Sequence, residues 1–272
     1  MAAAEPVTEA TSGDITVTLD DAHVATVEIH RPPNNFFDVT LIRDIANAYE
    51  TLAADTDARA IVLCSEGKHF CAGANFGSTS SGDPAADDDV IQAGPDKLYA
   101  EGGRMLAAPL PVVAAVQGAA IGGGLGLACA ADFRVAAPEA RLAANFARLG
   151  FHQGFGLSVT LPAIVGYQAA LDLLYTGRRI GGEAALQIGL VDDVVPLAEV
   201  RAAAHAKAAE IAESAPLAIR SIRETMRAKL LADFHAITGR EAAEQVRLRA
   251  TTDFVEGVTS TAERRPPNFV GK

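Results

Sequence analysis

Apolar and polar residues alternate over positions 15–19 and 24–29, on either side of Asp20-Asp21-Ala22-His23, and this pattern predicts a β-hairpin. Arg31-Pro32-Pro33-Asn34-Asn35 ends it, because proline cannot donate to a strand ladder. Leu41, Ile42, Ile45, Ala48, Tyr49 and Leu52 then recur at helical spacing, so a helix is expected over residues 40–53. Continuous apolar runs at 60–64 and 112–116 predict strands covered on both faces, with a helix over 98–106 between them. Short strands at 133–135, 141–143 and 191–195 alternate with helices at 157–165, 168–175 and 182–188. Beyond that point the chain reads as helix only, over 197–213, 217–230 and 234–249. Alternating elements followed by helices alone predict an α/β core with a helical C-terminal region.

Residues 111–131, PVVAAVQGAAIGGGLGLACAA, are the unusual stretch. A buried strand leads through Gly118 into Gly122, Gly123 and Gly124, which open a helix of small residues. Glycine loses more backbone entropy on folding than any other residue, so three in a row imply a close approach of backbone to something. At a helix start, the unpaired N–H groups and the dipole favour an anion or a polarised carbonyl. Tight helix–sheet packing is the alternative. A dinucleotide turn is disfavoured, because residue 127 of the expected Gly-x-Gly-x-x-Gly pattern is Leu.

Composition narrows the function. The chain has 272 residues and a net charge of −11, which argues against nucleic acid as a main partner. Cys64, Cys71 and Cys129 lack metal-ligand spacing and are expected to be reduced, buried thiols of a cytoplasmic protein, so no metal is expected. Residues 1–13 are expected to be a disordered lead, and the polar run 77–96 a surface loop. Over the apolar window 105–131, Pro109, Pro111 and the glycines break any single helix, so no membrane span is expected.

FCAGANF (70–76) and GAAIGGGLGLACAADFRVA (118–136) together resemble the enoyl-CoA hydratase/isomerase (crotonase) superfamily. So do His30-Arg31-Pro32-Pro33-x-Asn35, Tyr175-Thr176-Gly177, Ala184-x-x-x-Gly189-Leu190-Val191 and Arg265-Pro266-Pro267-Asn268-Phe269. The resemblance implies a crotonase-like spiral of ββα units over residues 14–200 and a helical oligomerisation region over 201–272, building homotrimers or homohexamers. It implies an acyl-CoA thioester as partner, with no cofactor beyond the CoA carried by the substrate. The oxyanion-hole N–H groups fall on Ala74 and Gly123. Contacts to substrate and CoA fall on Arg31, Pro33, Asn35, Lys68, Ala72, Asn75, Phe76, Ile121, Gly122, Asn145, Phe146, Phe269 and Lys272.

The two glutamates that the family's hydratases use for proton transfer fall on Gly126 and Phe146, and an aspartate used by dienoyl-CoA isomerases falls on Gly154. Simple water addition is therefore not expected. His152 is the leading proton carrier by type, because an imidazole titrates near neutrality. Tyr99 and Glu101 could reach the pocket, Asp38, His69 and Glu139 are weaker candidates, and Asp132 is expected to be structural. Ala144-Asn145-Phe146 and Gly150-Phe151-x-x-Gly154-x-Gly156 resemble crotonase-fold decarboxylases of polyketide assembly lines, which makes a glutaconyl-type decarboxylase the alternative reaction. A non-catalytic acyl-CoA-binding protein stays open as well. RNA binding, known in one branch of the superfamily, is disfavoured by the charge.

Overall fold

Every residue of strand β4 (Ala60–Ser65) is buried, so it must be covered on both faces. A computed structural model of the protein, describing residues 8–75 and 95–272, sets β4 at the centre of a seven-stranded sheet. The order is β1 (Thr8–Ser12), β2 (Ile15–Leu19), β3 (Val24–Ile29), β4, β5 (Val112–Val116), β7 (Phe133–Ala136) and β9 (Asp193–Val194). The first three strands are antiparallel, and from β3 onward every pairing is parallel. A second, two-stranded sheet pairs β6 (Ala119–Ile121) with β8 (Arg141–Ala143). This mixed α/β architecture is the one expected.

Side chains alternate across the central strands and feed two cores. Ile61, Leu63, Val112 and Ala114 pack with Leu41, Ile42, Ile45 and Tyr49 of helix α1 (Val39–Asp55). Val62, Cys64, Val113 and Ala115 meet Val200, Ala204, Ala208 and Ala212, a four-residue-spaced stripe on α7 (Val200–Ala212). Small side chains on that stripe let the helix lie close to the sheet. On the α1 side the same core also takes in α2 (Pro95–Ala107), α3 (Gly123–Ala130), α4 (Leu157–Val165), α5 (Tyr167–Thr176) and α6 (Gly182–Gln187). The chain ends in α8 (Pro216–Arg249) and α9 (Thr252–Ala262).

Four local expectations change. Thr8–Ser12, inside the expected lead, is an edge strand in register from Thr8↔Leu19 to Ser12↔Ile15, its backbone satisfied by β2. Residues 1–7 and 77–94 lie outside the described residues, and α2 takes in residues 95 and 96. The helices expected at 217–230 and 234–249 are one helix of 34 residues. No proline or glycine interrupts 231–233, and a Lys229–Asp233 ion pair spans the junction. Helix α9 was not expected; the Thr251 hydroxyl caps it by accepting the Phe254 N–H at 3.2 Å.

Helix α8 is fastened to the core by charge. Asp132, expected to be structural, accepts the Val112 N–H at 2.8 Å and faces Arg223 at 2.9 Å and Arg227 at 2.7 Å. Burial pulls the Arg227 guanidinium down to about 10, with Asp132 opposing that effect. Asp132→Ala would leave two buried guanidinium groups without their carboxylate. Denaturant unfolding should show a loss of about 3–5 kcal/mol, whereas a loss within about 0.5 kcal/mol, as at an ordinary surface site, would show that the cluster does not hold α8.

Candidate active site

The site grows from the turn between β5 and β6. Gly118 has φ +63° there, and a Cβ on it would lie 2.0 Å from the Lys68 carbonyl oxygen. β6 then runs beside Cys71: the Cys71 N–H donates to Ala119 O at 2.9 Å, and the Ile121 N–H donates to Cys71 O at 3.1 Å. This pairing brings the 73–74 turn against the start of α3. A Cβ on Gly73 (φ +88°) would sit 2.7 Å from Ile121 O and 3.6 Å from the Gly123 nitrogen.

Each glycine of the triplet has its own reason. Gly122 has φ +57° and donates to Ala143 O at 2.8 Å. A Cβ on Gly123 would fall 2.1 Å from the Phe37 ring, and one on Gly124 would fall 2.0 Å from Cys71 O. Tight packing accounts for Gly124. At Gly123 a second demand appears, since this residue lines a cavity together with Ala74. Gly123 is the first residue of α3, where an N–H has no intrahelical partner. Among the described residues, neither the Ala74 nor the Gly123 N–H donates a hydrogen bond.

The cavity has a volume of about 410 Å³ and brings together Ala72, Ala74, Asn75, Ile121, Gly122, Gly123, Asn145 and Phe146 of the expected residues. Others lie elsewhere. Arg31 is held by Asp14 at 2.5 Å and Asp38 at 2.7 Å, away from the cavity wall. Asn35 is fully buried; its amide donates to Glu66 O at 2.8 Å and His69 O at 2.6 Å, stapling two loops behind the site. Pro33 and the exposed Lys68 do not line the cavity. Phe269 and Lys272 line a second cavity of about 380 Å³, which shares Phe151 with the first. Phe76 lies outside the described residues.

His152 also stays out of the wall. Its Nδ1 is 2.7 Å from the Gln153 carbonyl oxygen, and its own carbonyl accepts the Gln245 amide at 3.1 Å. Glu241, fully buried, accepts the Gly156 N–H at 2.8 Å and the Ser158 N–H at 3.0 Å, so α8 caps α4 from a distance. Burial pushes this carboxyl group up. The clamp turns Gly154 and Phe155, rather than His152, toward the cavity.

Tyr99 lines the cavity, while Glu101 pairs with Arg43 and Arg104, Asp38 caps α1 at Leu41, and Glu139 is exposed. His69 is the histidine that reaches the wall. Its Nδ1 accepts the Ala119 N–H at 3.3 Å, and the Arg141 guanidinium lies 3.5 Å away. Burial lowers its pKa, helped by the charges of Arg141 and Lys68, so the ring is neutral at pH 7. No Asp or Glu is among the described residues of the wall. Sequence reasoning missed Phe37, Phe155, Arg141 and Gln245. Phe37 and Phe155 carry no local signal, and Gln245 arrives from a helix remote in sequence.

The chain resembles known proteins over nearly all of its length. Residues 20–272 match the model of the family described as enoyl-CoA hydratase/isomerase. A probable enoyl-CoA hydratase of Bacillus subtilis is 32% identical over 253 residues, covering 93% of this chain and 97% of that protein. The enoyl-CoA hydratase EchA19 of Mycobacterium tuberculosis is 30% identical over 249 residues, covering 91% and 93%. The crystal structure of an enoyl-CoA hydratase from Mycobacterium avium subsp. paratuberculosis superposes with a TM-score of 0.79 at 30% identity, covering 96% of this chain and all of that one. An enoyl-CoA hydratase/isomerase from Pseudoalteromonas atlantica gives 0.81 at 27% identity, covering 95% and 100%. The fold and cavity define a crotonase-fold protein. The chain belongs to the enoyl-CoA hydratase/isomerase family.

His69 offers a check on the electrostatics. Burial, and after it the neighbouring Arg141 cation, disfavours the imidazolium, so NMR titration should place the His69 midpoint below the ordinary 6.5. Arg141→Gln should raise that midpoint while burial still holds it under the ordinary value. A midpoint at or above 6.5 in the unaltered protein would contradict the assignment.

Proposed function

We propose that this chain is an acyl-CoA-thioester enzyme that stabilises a thioester enolate between the backbone N–H groups of Ala74 and Gly123. The observation that carries the reading is that two N–H groups without acceptors among the described residues border one cavity, on turns packed against each other. An enolate places its negative charge on the former carbonyl oxygen. Two fixed donors aimed at that oxygen, one at the positive end of α3, stabilise the charge without reorganisation. Glycine at 123 keeps any side chain out of the way.

The family's hydratase activity does not transfer directly. A Cβ on Gly126 would lie 3.0 Å from the Phe155 ring, which leaves no room for a carboxylate there. Phe146 presents a phenyl ring at the cavity wall, and no described wall residue is a carboxylate. Water addition to a simple enoyl thioester therefore lacks its usual acid–base pair. Of the imidazoles, His69 is better sited than His152 to exchange protons at the cavity. Arg141 and Arg179 at the wall, with Lys68 beside His69, form a cationic rim suited to the CoA phosphates. Exposed Ile222 and Met226, four residues apart on one side of α8, offer an apolar face for further copies of the chain, consistent with a homotrimer or homohexamer. A cytoplasmic setting is the one in which three buried free thiols stay reduced.

The phenyl ring of Phe146 favours one second reading, the decarboxylation of a glutaconyl-type thioester. There the bond to the leaving carboxylate breaks, its electron pair enters the dienolate held by the same two N–H groups, CO2 departs, and solvent returns a proton. An apolar ring beside the carboxylate would desolvate it.

Mass spectrometry of saturated acyl-CoA thioesters incubated with the protein in D2O separates these readings. Deuterium should enter the α-carbon, and Gly123→Val, whose side chain displaces the Phe37 ring and blocks the approach to the two N–H groups, should cut the rate at least about a hundredfold. No exchange above the buffer rate, together with CO2 release from 3-methylglutaconyl-CoA, would replace the first reading by the second. Neither signal would reject both.

A further inference from the structure

The cavity wall is aromatic to a degree that the chain as a whole is not. Of eleven phenylalanines and four tyrosines, Phe36, Phe37, Phe146, Phe151, Phe155 and Tyr99 line this one cavity. Two pairs of rings flank the glycine turn. On one side Phe37 abuts Gly123 and Phe155 abuts Gly126, with the two ring centroids 5.4 Å apart and tilted by 41°. On the other, the Phe146 ring comes within 3.8 Å of a Cβ position on Gly122 and meets Phe151 at 5.3 Å and 61°. A group attached to a carbonyl held at Gly123 would leave the oxyanion donors into the cavity that both pairs line.

Beyond the rings the wall becomes polar at one place. A Cβ on Gly154 would lie 2.2 Å from the Tyr99 hydroxyl oxygen and 2.4 Å from the Gln245 amide nitrogen, so both polar atoms converge on this glycine. The Arg249 guanidinium, one helical turn beyond Gln245 on α8, covers the Phe151 ring at 5.3 Å. The cavity wall thus combines backbone donors, aromatic rings, the hydrogen-bonding groups of Tyr99 and Gln245, and the Arg249 guanidinium.

We infer that the acyl group of the thioester is an arylalkanoyl group of the 3-phenylpropanoyl type, whose α-CH2 can enolise, with its ring between the Phe37–Phe155 and Phe146–Phe151 pairs and its distal edge toward Tyr99 and Gln245. The inference rests on the acyl-thioester reading of the site. An alkyl chain gains only apolar burial from such walls and loses rotamer freedom on entry. A rigid aryl group gains the same burial and adds edge-to-face contacts, each raising affinity about two- to tenfold. Tyr99 and Gln245 provide partners for a hydroxyl at the distal position.

Calorimetric titration of the full-length protein with CoA, 3-phenylpropanoyl-CoA, 3-(4-hydroxyphenyl)propanoyl-CoA and nonanoyl-CoA tests this. The phenylpropanoyl and nonanoyl groups have the same carbon count. The expected result is that phenylpropanoyl-CoA binds at least about tenfold tighter than nonanoyl-CoA, and that Phe151→Leu or Phe155→Leu erases most of the difference. The 4-hydroxy compound should bind at least as tightly as phenylpropanoyl-CoA. Equal or tighter binding of nonanoyl-CoA would overturn the inference, as would a preference that survives both substitutions. If neither CoA nor any thioester binds, the acyl-thioester reading itself fails. If all of them bind without aryl preference, only the inference about the acyl group fails.

Discussion

Two backbone hydrogen bonds, from Cys71 to Ala119 and from Ile121 back to Cys71, determine the rest of the site. They fix the register between the segment after β4 and the short strand β6. That register sets the 73–74 turn against the first residue of α3. A one-residue slip would reverse the side-chain faces and carry Gly73 away from Ile121. Gly73, Gly118 and Gly124 are glycines because backbone crosses backbone here at distances that no Cβ tolerates. What faces the cavity after this packing is backbone N–H, which no side-chain substitution elsewhere can supply.

The outer walls depend on a different interaction. Helix α8 is anchored at one end through Arg223 and Arg227 on Asp132, and farther along it reaches the 150–158 loop through Glu241 and Gln245. A buried carboxylate that accepts two N–H groups at the start of α4 takes the place of a local cap, since Gly156 has no side chain to offer. The helix therefore both ties the C-terminal region to the sheet and sets the side of the loop that forms the aromatic wall. Stability and specificity draw on the same helix, and changes along α8 are expected to affect both.

Periodicity was enough to read the central strands, α1 and the α/β layering, because burial on two faces leaves a continuous apolar run. It failed at Thr8–Ser12, whose TEATS sequence is polar and becomes a strand only through the partner β2 offers. It also divided α8, where an irregular apolar pattern conceals an unbroken helix. Within the site, Gly122 and Gly123 were legible because glycines crowded at a helix start are costly without a purpose, and Ala74 through the family resemblance alone. His69 was a weaker candidate only, and Phe37 and Gln245 were not read at all, because their place at the wall is set by elements far apart in sequence. His152 was favoured by residue type alone, and the Glu241 clamp turns its loop so that Phe155 faces the cavity instead.

The central claim is that the Ala74 and Gly123 N–H groups polarise a thioester carbonyl. Difference infrared spectroscopy of an acyl-CoA labelled with carbon-13 at the thioester carbonyl measures this directly. The account predicts that the carbonyl stretch of the bound thioester falls below its value in water, because two fixed donors weaken the C=O bond more than mobile water does. A bound thioester whose stretch stays at or above the aqueous value would contradict it.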